Sequence, residues 1–183
     1  MMPASDPQTP RQVASRLVYK GRVINVTVDE LETPEGVLLR RETVRHGGGV
    51  AIVPITSDGD VLLVRQYRHA TGGWLTEIPA GTLEAGEDPA TCAARELEEE
   101  TGYTAGSLHL LGRLFLAPGY SSEVLWVYAA TNLGEGTVNP DDDEVITLCR
   151  APIDAAWGSE RESVDAKTVA ALALAREWLA KGA

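Results

Sequence analysis

The stretch GEDPATCAARELEEETGY, residues 86–103, carries the signals of a helix with defined ends. Asp88 is placed to cap the helix, Pro89 suits its first position, and Gly102 is placed to end it. Small apolar residues follow the i, i+3, i+4, i+7 spacing of one helical face: Ala90, Ala93, Ala94 and Leu97. We therefore predict a helix over residues 89–101 whose narrow face packs closely against a sheet.

The same helix concentrates negative charge in its last turns. Glu96, Glu99 and Glu100 are spaced i, i+3, i+4 and share a second face. They repel one another where the helix dipole is already negative, and each effect costs about 0.3–1 kcal/mol. Most charge runs on helices are solvated faces, but stability alone favours Lys or Arg here. The pattern therefore indicates a site for cations, and carboxylates suit Mg²⁺, with Mn²⁺ as a substitute, rather than zinc.

Composition limits the possible partners. The chain has 183 residues, 44% of them hydrophobic, which suits one soluble domain. A net charge of -11 repels nucleic acid and anionic lipid, and no stretch reaches the length of a membrane span, so we expect neither partner. Cys92 and Cys149 form no CxxC pair, which makes a reducing cytoplasm the default location.

The sequence divides into a tail, a small sheet and a main domain. Residues 1–13 are polar and are expected to form a disordered tail. Residues 14–46 alternate apolar and polar side chains around the turn at 33–36, which predicts two or three antiparallel strands. Residues 47–183 mix strands and helices without βαβ regularity, so the fold class is α+β.

Two local signals organise the main domain. Asp58-Gly59 separates the apolar runs VAIVPIT and VLLVRQYR, which predicts a hairpin of two central strands. Three more strands follow the acidic helix, and Asp165 is placed to cap a final helix.

The acidic helix also contains a motif. Gly81, Glu87 and the run 95–103, RELEEETGY, resemble the Nudix box, Gly-x5-Glu-x7-Arg-Glu-U-x-Glu-Glu-x-Gly-U, in which U is a bulky apolar residue. Every fixed position is filled, with Tyr103 as the less usual choice at the last one. The resemblance implies a Nudix-type α/β/α sandwich with a mixed sheet, plus a small N-terminal antiparallel sheet.

The resemblance also implies roles for residues in and beside the box. The implied ligands of two or three divalent ions are Glu96, Glu99, Glu100 and the carbonyl of Ala80. The implied supporting residues are Gly81, Glu87 and Arg95. Two of these residues also have an alternative role without function: Glu87 can be an ordinary loop carboxylate, and Arg95 can be the i,i+4 ion-pair partner of Glu99.

The loop NPDDDEVI, residues 139–146, supplies four consecutive acids before a strand. By itself it reads as a solvated loop. By resemblance, an acid from this loop positions or deprotonates the attacking water, with Glu144 as first choice and Asp143 as second. Glu99 is the alternative base, since a carboxylate can serve as ligand and as proton acceptor in different states.

Three further segments resemble the ADP-ribose pyrophosphatase subgroup: VRQYR at 64–68, WLTEIPAG at 74–81 and APGYSSE at 117–123. Pro118 stands where that subgroup has its marker proline. Arg68 and Arg45 resemble arginines that contact the diphosphate or the terminal ribose, although a surface position is the commoner fate of an arginine. Glu77 resembles a residue that accepts hydrogen bonds from adenine or supports the loop.

The implied reaction is Mg²⁺-dependent hydrolysis of ADP-ribose to AMP and ribose 5-phosphate by attack of water on the diphosphate. The nearest alternative is another nucleoside diphosphate sugar, such as GDP-mannose or ADP-glucose. A non-catalytic Nudix ligand-sensing module is less favoured, because it would be expected to have lost the glutamates. In related enzymes the N-terminal sheet is exchanged between subunits, so a homodimer is expected, although its apolar residues could equally pack within one chain.

Overall fold

The structure is a computed structural model that describes residues 8–137, 139, 145–156 and 165–182. Its contacts divide the chain into two compact units. The first combines Met1–Gly47 with Ala117–Glu123, and the second combines Gly48–Leu116 with Val124–Ala183. Among the residues described, no helix has the length and apolar character needed to cross a membrane.

The first unit is a three-stranded antiparallel sheet in the order β1-β2-β3. Its strands are β1 (Arg11–Lys20), β2 (Ile24–Glu32) and β3 (Leu38–His46). Gly36, with φ 80°, closes the predicted turn by donating its N–H to the carbonyl of Thr33 at 2.9 Å. Since β1 starts at residue 11, the predicted tail is too long by residues 11–13, and residues 1–7 lie outside the described part.

The second unit contains two sheets and two α-helices. The strands are β4 (Gly49–Pro54), β5 (Asp60–Arg68), β6 (Gly73–Glu77), β7 (Ala80–Thr82), β8 (Tyr103–Phe115), β9 (Val124–Glu135) and β10 (Ile146–Pro152). The helices are α1 (Pro89–Thr101) and α2 (Ala166–Ala180), and a 3₁₀ turn covers His69–Thr71. One sheet has the order β10-β5-β6 and the other β7-β4-β9-β8, in which β4 and β9 are parallel and the remaining pairs antiparallel.

The predicted hairpin between β4 and β5 forms only at its turn, where Ile55 and Val61 make a single antiparallel bridge. The chain does turn at Asp58-Gly59, where Gly59 has φ 85°, but β4 pairs with β7 and β9 while β5 pairs with β10 and β6. Each run is apolar on both faces, so each becomes the buried central strand of its own sheet and takes partners on both sides.

The two helices cover opposite faces of the sheet that contains β4. Val50 and Ile52 belong to the same buried cluster as Ala93 and Leu97 of α1. The alternate β4 residues Ala51 and Val53 belong to the cluster that contains Ala171, Leu172 and Ala175 of α2. This period of two puts the sheet between the helices and confirms the predicted α/β/α layering with a mixed sheet.

Helix α1 has the bounds that its sequence predicts. The Asp88 carboxylate accepts from the N–H groups of Ala90 and Thr91 at 3.0 and 3.1 Å, and Gly102, with φ 74°, donates to the carbonyl of Glu98 at 2.8 Å. The buried face differs from the predicted one, because Ala94 is exposed, Ala90 is only half-buried and Cys92 is buried. The buried residues of α1 are Cys92, Ala93, Leu97, Glu100 and Thr101.

Candidate active site

The acidic face of α1 lies against the short strand β7. Glu100 is 4% exposed, and its Oε2 accepts from the backbone N–H of Ala80 at 3.1 Å. A Cβ atom on Gly81 would overlap the carboxylate of Glu96, so a glycine is required for that side chain to lie on the β7 backbone. The structure therefore brings Ala80 and Gly81 together with Glu96 and Glu100.

A single guanidinium links this face to the loop before the helix. Arg95 Nη1 lies 2.8 Å from Glu96 Oε1 and 2.9 Å from Glu99 Oε2. Its Nε and Nη2 donate to the two oxygens of Glu87 at 3.1 and 3.2 Å. These bonds, together with the N–H of Glu84, lower the pKa of Glu87 to about 2. The predicted i,i+4 pair with Glu99 is present, and the same arginine orients Glu87.

The donor set of this face is chemically suited to a hard divalent ion. Three carboxylates on adjacent turns and the carbonyl of a neighbouring strand are all oxygen ligands, which Mg²⁺ and Mn²⁺ prefer. Within the described ranges, no three His, Cys, Asp or Glu side chains converge as a metal-binding group. Glu96 and Glu99 both contact the guanidinium of Arg95. For all three carboxylates to bind an ion, Glu96 and Glu99 must therefore give up this contact.

A second charged cluster joins the last residue of β5 to the last residue of the antiparallel strand β6. Arg68 binds Glu77 through two parallel hydrogen bonds, from Nε to Oε1 at 2.9 Å and from Nη2 to Oε2 at 2.7 Å. The Glu77 side chain is 1% exposed, whereas that of Arg68 is 38% exposed. Burial alone would raise the pKa of Glu77, but Arg68 and Lys167 outweigh it and the pKa is lowered. Glu77 is therefore an ionised carboxylate inside the protein.

The second cation of this cluster comes from the first turn of α2. Lys167 Nζ contacts Glu77 Oε2 and also donates to Asp165 Oδ2 at 2.9 Å. Asp165 caps α2, as predicted, by accepting from the N–H of Thr168 at 2.9 Å. Lys167 was not among the predicted site residues. Its place at the positive end of a helix dipole indicates that the lysine needs a nearby anion, but it does not identify Glu77 as that anion.

Arg45 and Pro118 belong to the first unit. Arg45 Nη2 donates to Asp29 Oδ2 at 2.6 Å, and its Nε donates to the hydroxyl of Thr27 at 3.3 Å. Asp29 is 3% exposed, and hydrogen bonds, above all from Ser15, lower its pKa. Arg45 is thus held by a buried carboxylate. Pro118 is exposed and lies within a turn, in which the N–H of Tyr120 donates to the carbonyl of Ala117 at 3.0 Å.

The two acids chosen first as the base, Glu144 and Asp143, lie outside the described residues. The strand that follows them is described. Ile146, the first residue of β10, pairs with Gln66, which lies two residues before Arg68 on β5. That register places the start of β10 beside the end of β5 that carries Arg68.

Comparison with known proteins identifies the class. Residues 45–172 match the family model of the NUDIX domain. The chain therefore belongs to the Nudix hydrolase family, and the resemblance of its sequence to that family is confirmed.

Particular relatives are similar over most of their length. The ADP-ribose pyrophosphatase of Bacillus subtilis (strain 168) is 37% identical over 166 residues, which cover 88% of this chain and 90% of that protein. The methanol dehydrogenase activator of Bacillus methanolicus is 38% identical with the same coverage. The crystal structure of an ADP compounds hydrolase superposes with a TM-score of 0.84 at 29% identity and covers 98% of this chain and 99% of that one.

Proposed function

We propose that this protein hydrolyses ADP-ribose to AMP and ribose 5-phosphate in a reaction that depends on Mg²⁺, for which Mn²⁺ can substitute. The observation that carries the proposal is the packing of Glu96 and Glu100 on the backbone of Ala80 and Gly81. This contact sets two acidic side chains of a complete Nudix box against the backbone of β7. The relative named ADP-ribose pyrophosphatase supports the choice of substrate.

The metal ligands in this proposal are Glu96, Glu99, Glu100 and the carbonyl of Ala80. When bound, the ion polarises a phosphoryl oxygen and lowers the pKa of a water molecule. Arg95 keeps Glu96 and Glu99 close to each other beforehand, because one of its nitrogens contacts both carboxylates. Glu87 in turn holds Arg95 through two hydrogen bonds. This chain of contacts orients the acidic face.

The remaining chemistry is the attack of water on phosphorus and the transfer of its proton. The water oxygen forms a bond to one phosphorus, the bridging P–O bond breaks, and a carboxylate takes the proton of the water. We assign the base to Glu144, with Asp143 second and Glu99 as the alternative. Glu99 is half-buried and bound to Arg95, and this contact competes with its acting as a free base.

Substrate recognition is assigned to Arg68 and Glu77 of the second unit and, by resemblance, to Arg45 and Pro118 of the first unit. Arg68 uses Nε and Nη2 for Glu77, which leaves Nη1 of a partly exposed guanidinium to meet the diphosphate or the terminal ribose. Arg45, held by Asp29, is assigned the same class of contact. Glu77 supports Arg68, and its proposed contact with adenine competes with that pairing. Pro118 is assigned to substrate binding by its resemblance to the marker proline of the subgroup.

We also propose a homodimer in the cytoplasm. The first unit exposes large apolar side chains on β1, including Leu17 and Tyr19, which are 52% and 56% exposed. Such a surface suits burial by a second copy of the chain. Free Cys92 and Cys149 suit a reducing compartment.

A broader substrate range is the second candidate. The structural neighbour is described as acting on ADP compounds, which makes ADP-glucose a natural test, followed by GDP-mannose. The reaction and the metal ligands would be the same, and the sugar contacts would differ.

The experiment is release of nucleoside monophosphate from ADP-ribose, ADP-glucose, GDP-mannose and a nucleoside triphosphate, with Mg²⁺ and again with a chelator. We expect turnover that the chelator abolishes and that is fastest with ADP-ribose. A faster reaction with another sugar would replace the substrate and keep the metal site. No turnover of any compound would refute the proposed function.

A further inference from the structure

Residues 77–80 connect the two sheets of the second unit, and side-chain or backbone contacts from β4, β5, α1 and α2 hold them. Glu77 binds Arg68 of β5 and Lys167 of α2. The Ile78 N–H donates to the Thr168 hydroxyl at 3.0 Å, and the carbonyl of Pro79 accepts from Ile52 at 2.9 Å. Ala80, at the end of the segment, meets Glu100. The first turn of α2 therefore acts directly on the strand that leads to the acidic face.

The charges of the side chains that meet at the first turn of α2 cancel. Arg68 and Lys167 carry positive charge, and Glu77 and Asp165 carry negative charge. The Lys167 side chain is 11% exposed, so its charge is weakly screened by solvent. Removal of Lys167 would leave a net negative charge beside the guanidinium that the proposed function assigns to the substrate. In a protein with a net charge of -11, such a change acts against an anionic ligand.

We propose that Lys167 is a positioning residue for substrate binding, which neutralises Glu77 so that Arg68 presents its charge to the diphosphate. This inference rests on the proposed function. Lys167 meets Glu77 directly, whereas its effect on the substrate passes through Arg68. Its loss should therefore weaken binding of the anionic substrate more than it slows the chemical step.

The first test measures kcat and KM of Lys167→Met with ADP-ribose and Mg²⁺. We expect KM to rise about tenfold and kcat per folded protein to change less than about threefold, as one unscreened charge nearby would produce. Lys167→Arg keeps the charge and should hold KM within about threefold of the wild type. Lys181→Met is the matched control, since Lys181 lies at the other end of α2 and pairs with exposed Glu177.

A second variant separates charge from structure. Asp165→Asn keeps a good capping residue but removes a negative charge from the same cluster. If Lys167 acts through its charge, KM of Asp165→Asn should fall by about threefold, whereas KM of Lys167→Met rises. If Lys167 acts only through structure, KM of Asp165→Asn should stay the same or rise. This variant decides the matter even if Lys167→Met does not fold.

The outcomes distinguish the two proposals. Opposite changes in KM for the two variants would support the positioning role. An unchanged KM in Lys167→Met, or an unchanged or raised KM in Asp165→Asn, would overturn that role, while normal turnover by the wild type would leave the proposed function standing. If the wild type hydrolyses none of the compounds, the proposed function fails and the positioning role fails with it.

Discussion

Two clusters in the second unit hold carboxylates away from solvent in opposite ways. At α1 and the loop before it, the carboxylates of Glu87, Glu96 and Glu99 share the single guanidinium of Arg95. At the end of β6, the carboxylates of Glu77 and Asp165 meet two cations, Arg68 and Lys167. The second cluster is balanced within the protein, and the first has an excess of negative charge. The excess marks the place where an external cation is needed.

The largest loss of activity is expected from substitutions on the acidic face of α1. Glu99→Gln or Glu100→Gln should lower kcat by roughly 10³-fold, because a metal ligand loses its charge. The free energy of unfolding should change by less than about 1 kcal/mol, because two effects oppose each other. The loss of one negative charge relieves repulsion between the carboxylates but weakens their ion pairing, and Gln can still accept a hydrogen bond. Steady-state kinetics and thermal melting measure both effects.

Glu98→Gln is the matched control, because Glu98 lies in the same acidic run but its Oε1 accepts from the N–H of Thr137. Its activity should stay near that of the wild type. Unfolding of both Glu99→Gln and Glu100→Gln would show that the acidic face is structural.

The base is the next target. Glu144→Gln should lower kcat by about 10²-fold or more with little change in KM, because a general base acts in the transition state. Single-turnover hydrolysis measures the chemical step directly. An unchanged rate would move the role to Asp143 or Glu99, which the corresponding Asp143→Asn variant then separates.

A smaller effect is expected at Gly81. Gly81→Ala places a Cβ on the carboxylate of Glu96, and this flexible side chain can move aside. We expect a loss of stability of about 1 kcal/mol and a loss of divalent-ion affinity of about tenfold. Gly73→Ala is the control for the loss of a glycine, since Gly73, like Gly81, lies in a strand without a positive φ but has open space around it. Equal metal affinity in the wild type and Gly81→Ala would contradict the placement of Glu96 at the metal.

The smallest effect is expected on the pH dependence of stability, through the ion pair of Glu87 and Arg95. Arg95 depresses the pKa of Glu87 to about 2, below its ordinary 4.5, so the pair stabilises the protein fully above that ordinary value. The stabilisation is lost as pH falls toward 2. Glu87→Gln should therefore be less stable by about 1 kcal/mol near neutral pH, and the difference should shrink in acid. Urea unfolding at several pH values tests this, and a difference independent of pH would refute it.

The parts of the fold that could be predicted are those set by neighbouring residues. Helix α1 has its predicted ends because Asp88 and Gly102 satisfy its terminal groups locally. The partners of β4 and β5 could not be predicted in the same way. A local turn and an apolar pattern do not say which distant strand will supply each partner.

The same distinction applies to the two charged clusters. The acidic face could be predicted because its carboxylates repeat with the period of a helix, and because the box fixes the spacing from Gly81. Lys167 could not, since it meets Glu77 across a separation of 90 residues and no periodic pattern marks it. The roles of Glu144 and Asp143 still rest on resemblance alone.

The most direct test of the excess-charge account is calorimetric titration of Mn²⁺ into the metal-stripped protein without substrate. We compare the wild type with Glu99→Gln, Glu100→Gln and Lys167→Met. The account predicts that the wild type and Lys167→Met bind Mn²⁺ alike and that both glutamate variants bind it at least about tenfold more weakly. Equal binding by all four proteins would show that the carboxylates of α1 are not the metal ligands.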